Sequence, residues 1–314
     1  MFLPGFGESW TTGVRAPDLF EKERISVLYY WKTEGTLWLT RFRRNGYLET
    51  VWEPEHVPSQ VLGPGFTLLE PLGSAGADEA YLLAYNGSTG ETKLVRILNN
   101  PTGPLEEAPA DIRPPRFLEP GWTHFLRVYY QPEALDYVGL LAYNASTGAA
   151  RIYSLHSKDR PRWDSVSVRG LPPNLSSIAS VSANGGSGPA LIPLVATVER
   201  GAMILKIMKF DQGWVYTTVT QVPWQNDDRV FTVWAEESSG TSHSGQMLTY
   251  HYSGMSQLLW VGGVYLKEPV IIYPTSGTWW QHDWQIRTLG SFLLRSRPRD
   301  SYVEVCKVHP VNFQ

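Results

Sequence analysis

Apolar residues along this chain come in short runs, separated by polar turns that contain glycine. "LLAYNGSTGETKLVRI" (82–97) is one pair of runs around one such turn, and "LLAYNASTGAARIYSL" (140–155) nearly repeats it. Glycine takes positive φ without steric cost, so each pattern predicts a β-hairpin turning at Gly90 or Gly148. Weaker copies centre on Gly35, Gly201 and Gly254, and an eroded one, "YVEVCKVHPVNF", is expected to turn near Pro310. Successive turns lie 55, 58, 53, 53 and 56 residues apart. A large residue followed by a small one precedes each of the first five hairpins: Trp10-Thr11, Phe66-Thr67, Trp122-Thr123, Ile178-Ala179 and Phe231-Thr232. Further β-rich stretches follow the hairpins, as in "YLETVW", "RWDSVSV" and "GWVYTTV". No segment sustains a helical period.

Units of about four strands in about 55 residues predict an all-β propeller. Six hairpins in 314 residues set the expectation of a six-bladed ring forming a single domain, 1–314. The residues left between the last and first hairpins suffice only for a short, three-stranded blade. It is expected to close the ring by pairing N- and C-terminal strands, which removes open sheet edges. A four-stranded sheet cannot bury both of its faces alone, whereas stacking around a ring buries both. The "LLAYN" and "LVRI" residues and the large residue ahead of each hairpin are therefore expected in the core.

Composition narrows the partners. The formal net charge is −3, and the densest basic run, "RFRRNG" (41–46), reads as a solvated strand end, so nothing favours nucleic acid. Cys306 is the single cysteine, which excludes an intrachain disulfide and a cysteine-based metal site. The histidines show no zinc-ligand spacing, and Asp227-Asp228 lacks the alternating pattern of a calcium loop, so no metal or other cofactor is expected. "MFLPGFGESW" has neither a basic region nor a long apolar run, and no segment is long enough to cross a bilayer. The expectation is a protein without a signal peptide or membrane insertion, cytoplasmic or exported by a non-classical route.

One block, "GWTHFLRVYYQPEALDYVGLLAYNASTG" (121–148), resembles a repeat of bacterial propeller proteins, in which a "W-T" strand start precedes a "DLLFYD-TG" hairpin. In length and blade number the chain is also similar to the six-bladed fungal fucose-binding lectins. Their recurring Arg-Val-Tyr strand is present once, as Arg127-Val128-Tyr129. The resemblance implies a propeller and a sugar contact at Arg127.

Thirteen tryptophans are many for a chain of this size, and several fall outside the repeat. In "DRPRWDS" Trp163 stands beside Arg162, and Trp214 opens another outer strand. In "TSGTWWQHDWQIR" Trp279, Trp280 and Trp284 surround Gln281, His282 and Asp283. A sugar has an apolar C–H face and a rim of hydroxyls, which suits an indole platform flanked by guanidinium, amide and carboxylate groups. Packing within loops, including Arg stacked on Trp, is the competing account of both clusters. The leading expectation is a lectin-like module for glycans or other small polar ligands, with sites between blades or on the loop face. Two alternatives stay open. A glycan lyase or hydrolase would use His124 and Ser180, expected as neighbours on adjacent inner strands at the channel mouth, although no acidic partner completes that set. A scaffold for a protein partner would use the long connectors at 99–120 and 267–284.

Overall fold

A computed structural model describes residues 10–15, 24–43, 54–74, 79–98, 105–110, 113–116, 118–128, 138–156, 162–169, 171–175, 177–180, 191–198, 201–210, 213–223, 229–233, 245–250, 255–262, 270–278, 285–289, 292–297 and 302–307. Among them are twenty-three strands, arranged as antiparallel meanders. The first meander is β1 (Trp10–Arg15), β2 (Arg24–Trp31), β3 (Thr36–Arg43) and β4 (Pro54–Ser59). The second is β5 (Leu68–Ser74), β6 (Glu79–Tyr85), β7 (Thr92–Leu98) and β8 (Leu105–Glu107). The third is β9 (His124–Val128), β10 (Val138–Tyr143), β11 (Ala150–His156) and β12 (Arg162–Arg169). The fourth is β13 (Ser177–Ser180), β14 (Leu191–Val198), β15 (Gly201–Phe210) and β16 (Gly213–Pro223). The fifth is β17 (Arg229–Val233), β18 (Gly245–Tyr250), β19 (Met255–Gly262) and β20 (Val270–Thr278). The last has three strands, β21 (Gln285–Leu289), β22 (Phe292–Arg297) and β23 (Tyr302–Lys307).

The first strands of successive meanders lie side by side, from β1 beside β5 through to β17 beside β21, and β1 also lies beside β21. Parallel pairing of β12 with β16 joins the third and fourth meanders at their outer strands into one eight-stranded sheet. This is the architecture of an all-β propeller.

The apolar runs are continuous because the middle strands are covered on both faces. Leu82 and Ala84 enter the core shared with the first meander, whereas Leu83 and Tyr85 enter the one shared with the third. Leu140 and Ala142 meet that same core from the other side, and Leu141 and Tyr143 turn toward the fourth meander. Each fully buried leucine contributes about 1.5–3 kcal/mol of transfer free energy. Phe66 and Trp122 are buried in these cores, as the pattern ahead of the hairpins predicted.

Two expectations about spacing are corrected. The strand Tyr302–Lys307 is the third of its meander, pairing back on β22, so the last hairpin joins Arg297 to Tyr302 rather than turning near Pro310. In the fourth unit the buried residue in the place of Phe66 and Trp122 is Leu175, not Ile178. Trp122 and Leu175 are 53 residues apart, the same interval that separates Gly148 from Gly201, so the whole unit slips together. Strand β1 pairs with β2, and the strands of the last meander pair with one another. Residues 1–9 and 308–314, needed for a joint closing sheet, lie outside the described residues.

Candidate functional site

Successive meanders are joined by a segment that runs beneath the preceding hairpin turn. In the second meander the Gly87 and Gly90 carbonyls accept the Gly121 and Leu118 N–H groups, both at 2.8 Å. The Tyr85 hydroxyl donates to the Glu119 carbonyl (2.7 Å) and accepts the Trp122 N–H (3.1 Å). Tyr30 does the same with Gly63 and Phe66, and Tyr143 with Pro172 and Leu175. Burial raises all three phenols above their ordinary pKa. Thr67 and Thr123 explain the small polar residue ahead of each hairpin. Each hydroxyl accepts an N–H from the turn, Gly87 or Ala145, and donates to the Tyr85 or Tyr143 carbonyl. Asn86 and Asn144 cap their turns, each Oδ1 accepting from the N–H and hydroxyl of the serine two residues on.

Away from the turn, the interface between the second and third meanders opens into a polar crevice. Residues opposite one another on paired strands share a face, so Tyr81, Arg96 and Glu106 form one row across β6, β7 and β8. Tyr81 packs on the core shared with the third meander, which aims the row at that neighbour. The Arg96 Nε donates to Glu106 Oε1 at 2.6 Å and Nη2 donates to the same oxygen, leaving Oε2 outside the ion pair. Their side chains are 29% and 43% exposed, so the pair sits at a solvent-accessible rim. Trp163, on the third meander, is half-buried and packs on the same core from the opposite side. Nearer the turn, Arg151 pairs with Glu119 at 2.9 Å. Tyr153 beside them has its pKa pushed up to about 12 by burial, with the Glu119 charge adding to the effect. A guanidinium, a carboxylate and two aromatic side chains thus border one crevice, with donors, acceptors and apolar faces in close reach.

The other expected site residues are dispersed. Arg162 and Trp163 open β12, whereas Trp214 pairs with Val168 near the far end of that strand. Arg127 lies on β9 opposite Leu140. Trp279, Trp280 and Trp284 lie outside the described residues. His124 opens β9 opposite Tyr143, and its Nδ1 is 2.8 Å from the Thr123 hydroxyl. That hydroxyl has one proton, and directing it to the Tyr143 carbonyl, as Thr67 does to Tyr85, makes Nδ1 the donor. The residue of β13 in register with His124 is Ser177, opposite Thr197, whereas Ser180 stands three positions further along, opposite Leu194. The three-residue slip of the fourth unit accounts for that displacement.

Tyr81, Arg96 and Glu106 were not expected from sequence reasoning, although one signal was present. Arg41 precedes Arg96 by 55 residues, the interval between Gly35 and Gly90. In the first meander Ser26, Arg41 and Glu55 occupy the same row, so the arginine read as a solvated strand end belongs to the repeat. Among the described residues no group of three or more His, Cys, Asp and Glu side chains is placed to hold a metal ion.

No protein-family model matches the chain, and no curated protein matches it. Solved structures do. A triple arginine-to-alanine variant of AofleA from Arthrobotrys oligospora is 9% identical, with a TM-score of 0.58 over 97% of this chain and 90% of that one. The β-propeller domain of Nup133 from Vanderwaltozyma polyspora is 9% identical, with a TM-score of 0.36 over 90% of this chain and 80% of that one. An ulvan lyase of polysaccharide lyase family PL25 is 9% identical, with a TM-score of 0.44 over 94% and 80%. At such low identity, the likeness to AofleA shows the fold alone.

Proposed function

We propose that the chain is a single six-bladed ring whose termini close it, and that it binds carbohydrate in the crevices between blades. The principal site is the crevice between the second and third blades. The observation that carries this reading is the row Tyr81–Arg96–Glu106 facing Trp163 across one interface. The ion pair offers donors and an acceptor to neighbouring hydroxyls, and the indole and phenol offer apolar faces to sugar C–H groups. The closed ring is supported by the adjacency of inner strands, including β1 beside β21. Trp279, Trp280 and Trp284, with Gln281, His282 and Asp283 among them, have the composition of a second ligand position. The row Ser26–Arg41–Glu55 provides the polar half of a further site, but Leu105 takes the place of Trp163 there and leaves it the weaker one.

The test is a glycan-array screen of the purified protein, followed by tryptophan-fluorescence titration of each hit. Saturable binding is expected, with Arg96→Ala and Trp163→Ala each weakening the strongest hit at least about tenfold, as loss of a charged or stacked contact requires. Silence across a broad array would sink the proposal. Binding that survives both substitutions would move the site elsewhere.

A further inference from the structure

The first three interfaces between successive meanders are gripped in one way, and the fourth differs on both of its sides. Tyr30, Tyr85 and Tyr143 each reach out of the second strand of a hairpin and hold a carbonyl and an N–H of the next joining segment. In the fourth meander that position, opposite Ser177, is Thr197. A threonine hydroxyl is carried directly on Cβ and falls several ångströms short of a phenol's reach. The receiving segment changes as well. The gripped segments read Gly63-Pro64-Gly65-Phe66, Glu119-Pro120-Gly121-Trp122 and Pro172-Pro173-Asn174-Leu175. Their third residues, Gly65, Gly121 and Asn174, all take positive φ. The residues in the same place before the fifth meander are Trp224-Gln225-Asn226-Asp227, with neither the proline nor the apolar fourth residue. The turn is altered too, since Val198 pairs with Gly201 across only two residues, where the second and third meanders use asparagine-capped turns. The third interface, by contrast, has the phenol grip and the β12–β16 pairing together.

We propose that the interface between the fourth and fifth meanders is the seam along which the protein parts first, with the first four meanders moving as one gripped body. Loss of the donor and of its receiving segment at the same interface makes this a built feature of the ring rather than a single weak contact. Local opening of this kind is set by the least secured interface. The inference rests on strand adjacency and register alone, so it stands or falls separately from any ligand.

Native-state amide hydrogen exchange of the whole chain at rising denaturant tests it. Amides of β17, β18 and β19 are expected to lose protection while those of β5–β7 and β9–β11 remain at least about tenfold slower. Tyr85→Phe should raise exchange of the Trp122 amide about tenfold, as expected for one lost buried hydrogen bond, while Thr197→Val leaves β17 unchanged. One common isotherm for all meanders, or earlier exchange in the second and third, would overturn the proposal. A Tyr85→Phe variant whose Trp122 amide stays as protected as before would also overturn it, because the phenols would then not be the grip.

Discussion

At the turn end, the hairpins of the first three meanders share one solution, whereas the far ends of the same strands differ in every copy. The turn end repeats a glycine, a phenol and a joining segment in matching geometry. At the far end, the equivalent rows read Ser26–Arg41–Glu55, Tyr81–Arg96–Glu106 and Gly139–Ser154–Asp164. Each meander must hold the next by the same short reach, so residues there have few substitutes. Far-end residues open to water and are released from that constraint. Repetition marks the architecture, and its breakdown marks where a ligand could be recognised.

The largest effect should come from the turn end. Gly90 has φ +78°, and a Cβ there would land on the Leu118 carbonyl oxygen of the joining segment. Gly90→Ala combines a left-handed backbone with a backbone clash and is expected to cost about 3 kcal/mol. A urea midpoint lowered accordingly, with unchanged slope, would support the view that the turn is clamped. Gly148→Ala should behave alike, because its Cβ would meet the Leu171 carbonyl in the same way. Unequal costs at these two positions would break the claimed equivalence.

Removing a phenol hydroxyl ranks next. Tyr85→Phe strands the Glu119 carbonyl and the Trp122 N–H at once, for an expected loss of about 1–2 kcal/mol. The same groups predict an alkaline limit. Burial raises the folded-state pKa of Tyr30, Tyr85 and Tyr143, and brings Tyr153 to about 12. The folded chain therefore holds phenolic protons that the unfolded chain releases near the ordinary tyrosine pKa of about 10. Stability is fully present below that pH and declines as pH climbs toward the raised values. Denaturation midpoints measured between pH 8 and about 12 would follow that decline, which Tyr85→Phe should soften.

The repeat period, the hairpins and the buried large residues could be read from the chain because they are local patterns with fixed spacing. The slip that replaced Ile178 by Leu175 was also written there, in the shortened interval from Gly148 to Gly201. A search that kept one step of 56 residues passed over it. The crevice was harder to see. Arg96 and Glu106 are ten residues apart and Arg41 and Glu55 fourteen, because the connection to the fourth strand varies in length. Only cross-strand register brings each pair into one row. Trp163 was singled out for its charged neighbours in sequence. The structure also gives it Tyr81 and the Arg96–Glu106 pair, which belong to a different meander.

The smallest expected effect on stability is also the sharpest test of the contrast between the two ends. Glu106→Gln keeps the shape of the side chain and removes its charge. Because the pair is partly exposed, solvent screens it, and the cost to folding should stay below about 1 kcal/mol. Tyr81 and Trp163 would still pack on their core, so the melting transition should hardly move. Any glycan bound in the crevice, however, would meet an amide in place of a carboxylate beside the Arg96 guanidinium. Hydrogen bonds to a charged group are about twice as strong as neutral ones, so affinity should fall while the fold stands. A large stability loss without a change in binding would reverse the assignment, making the far end a second structural clasp.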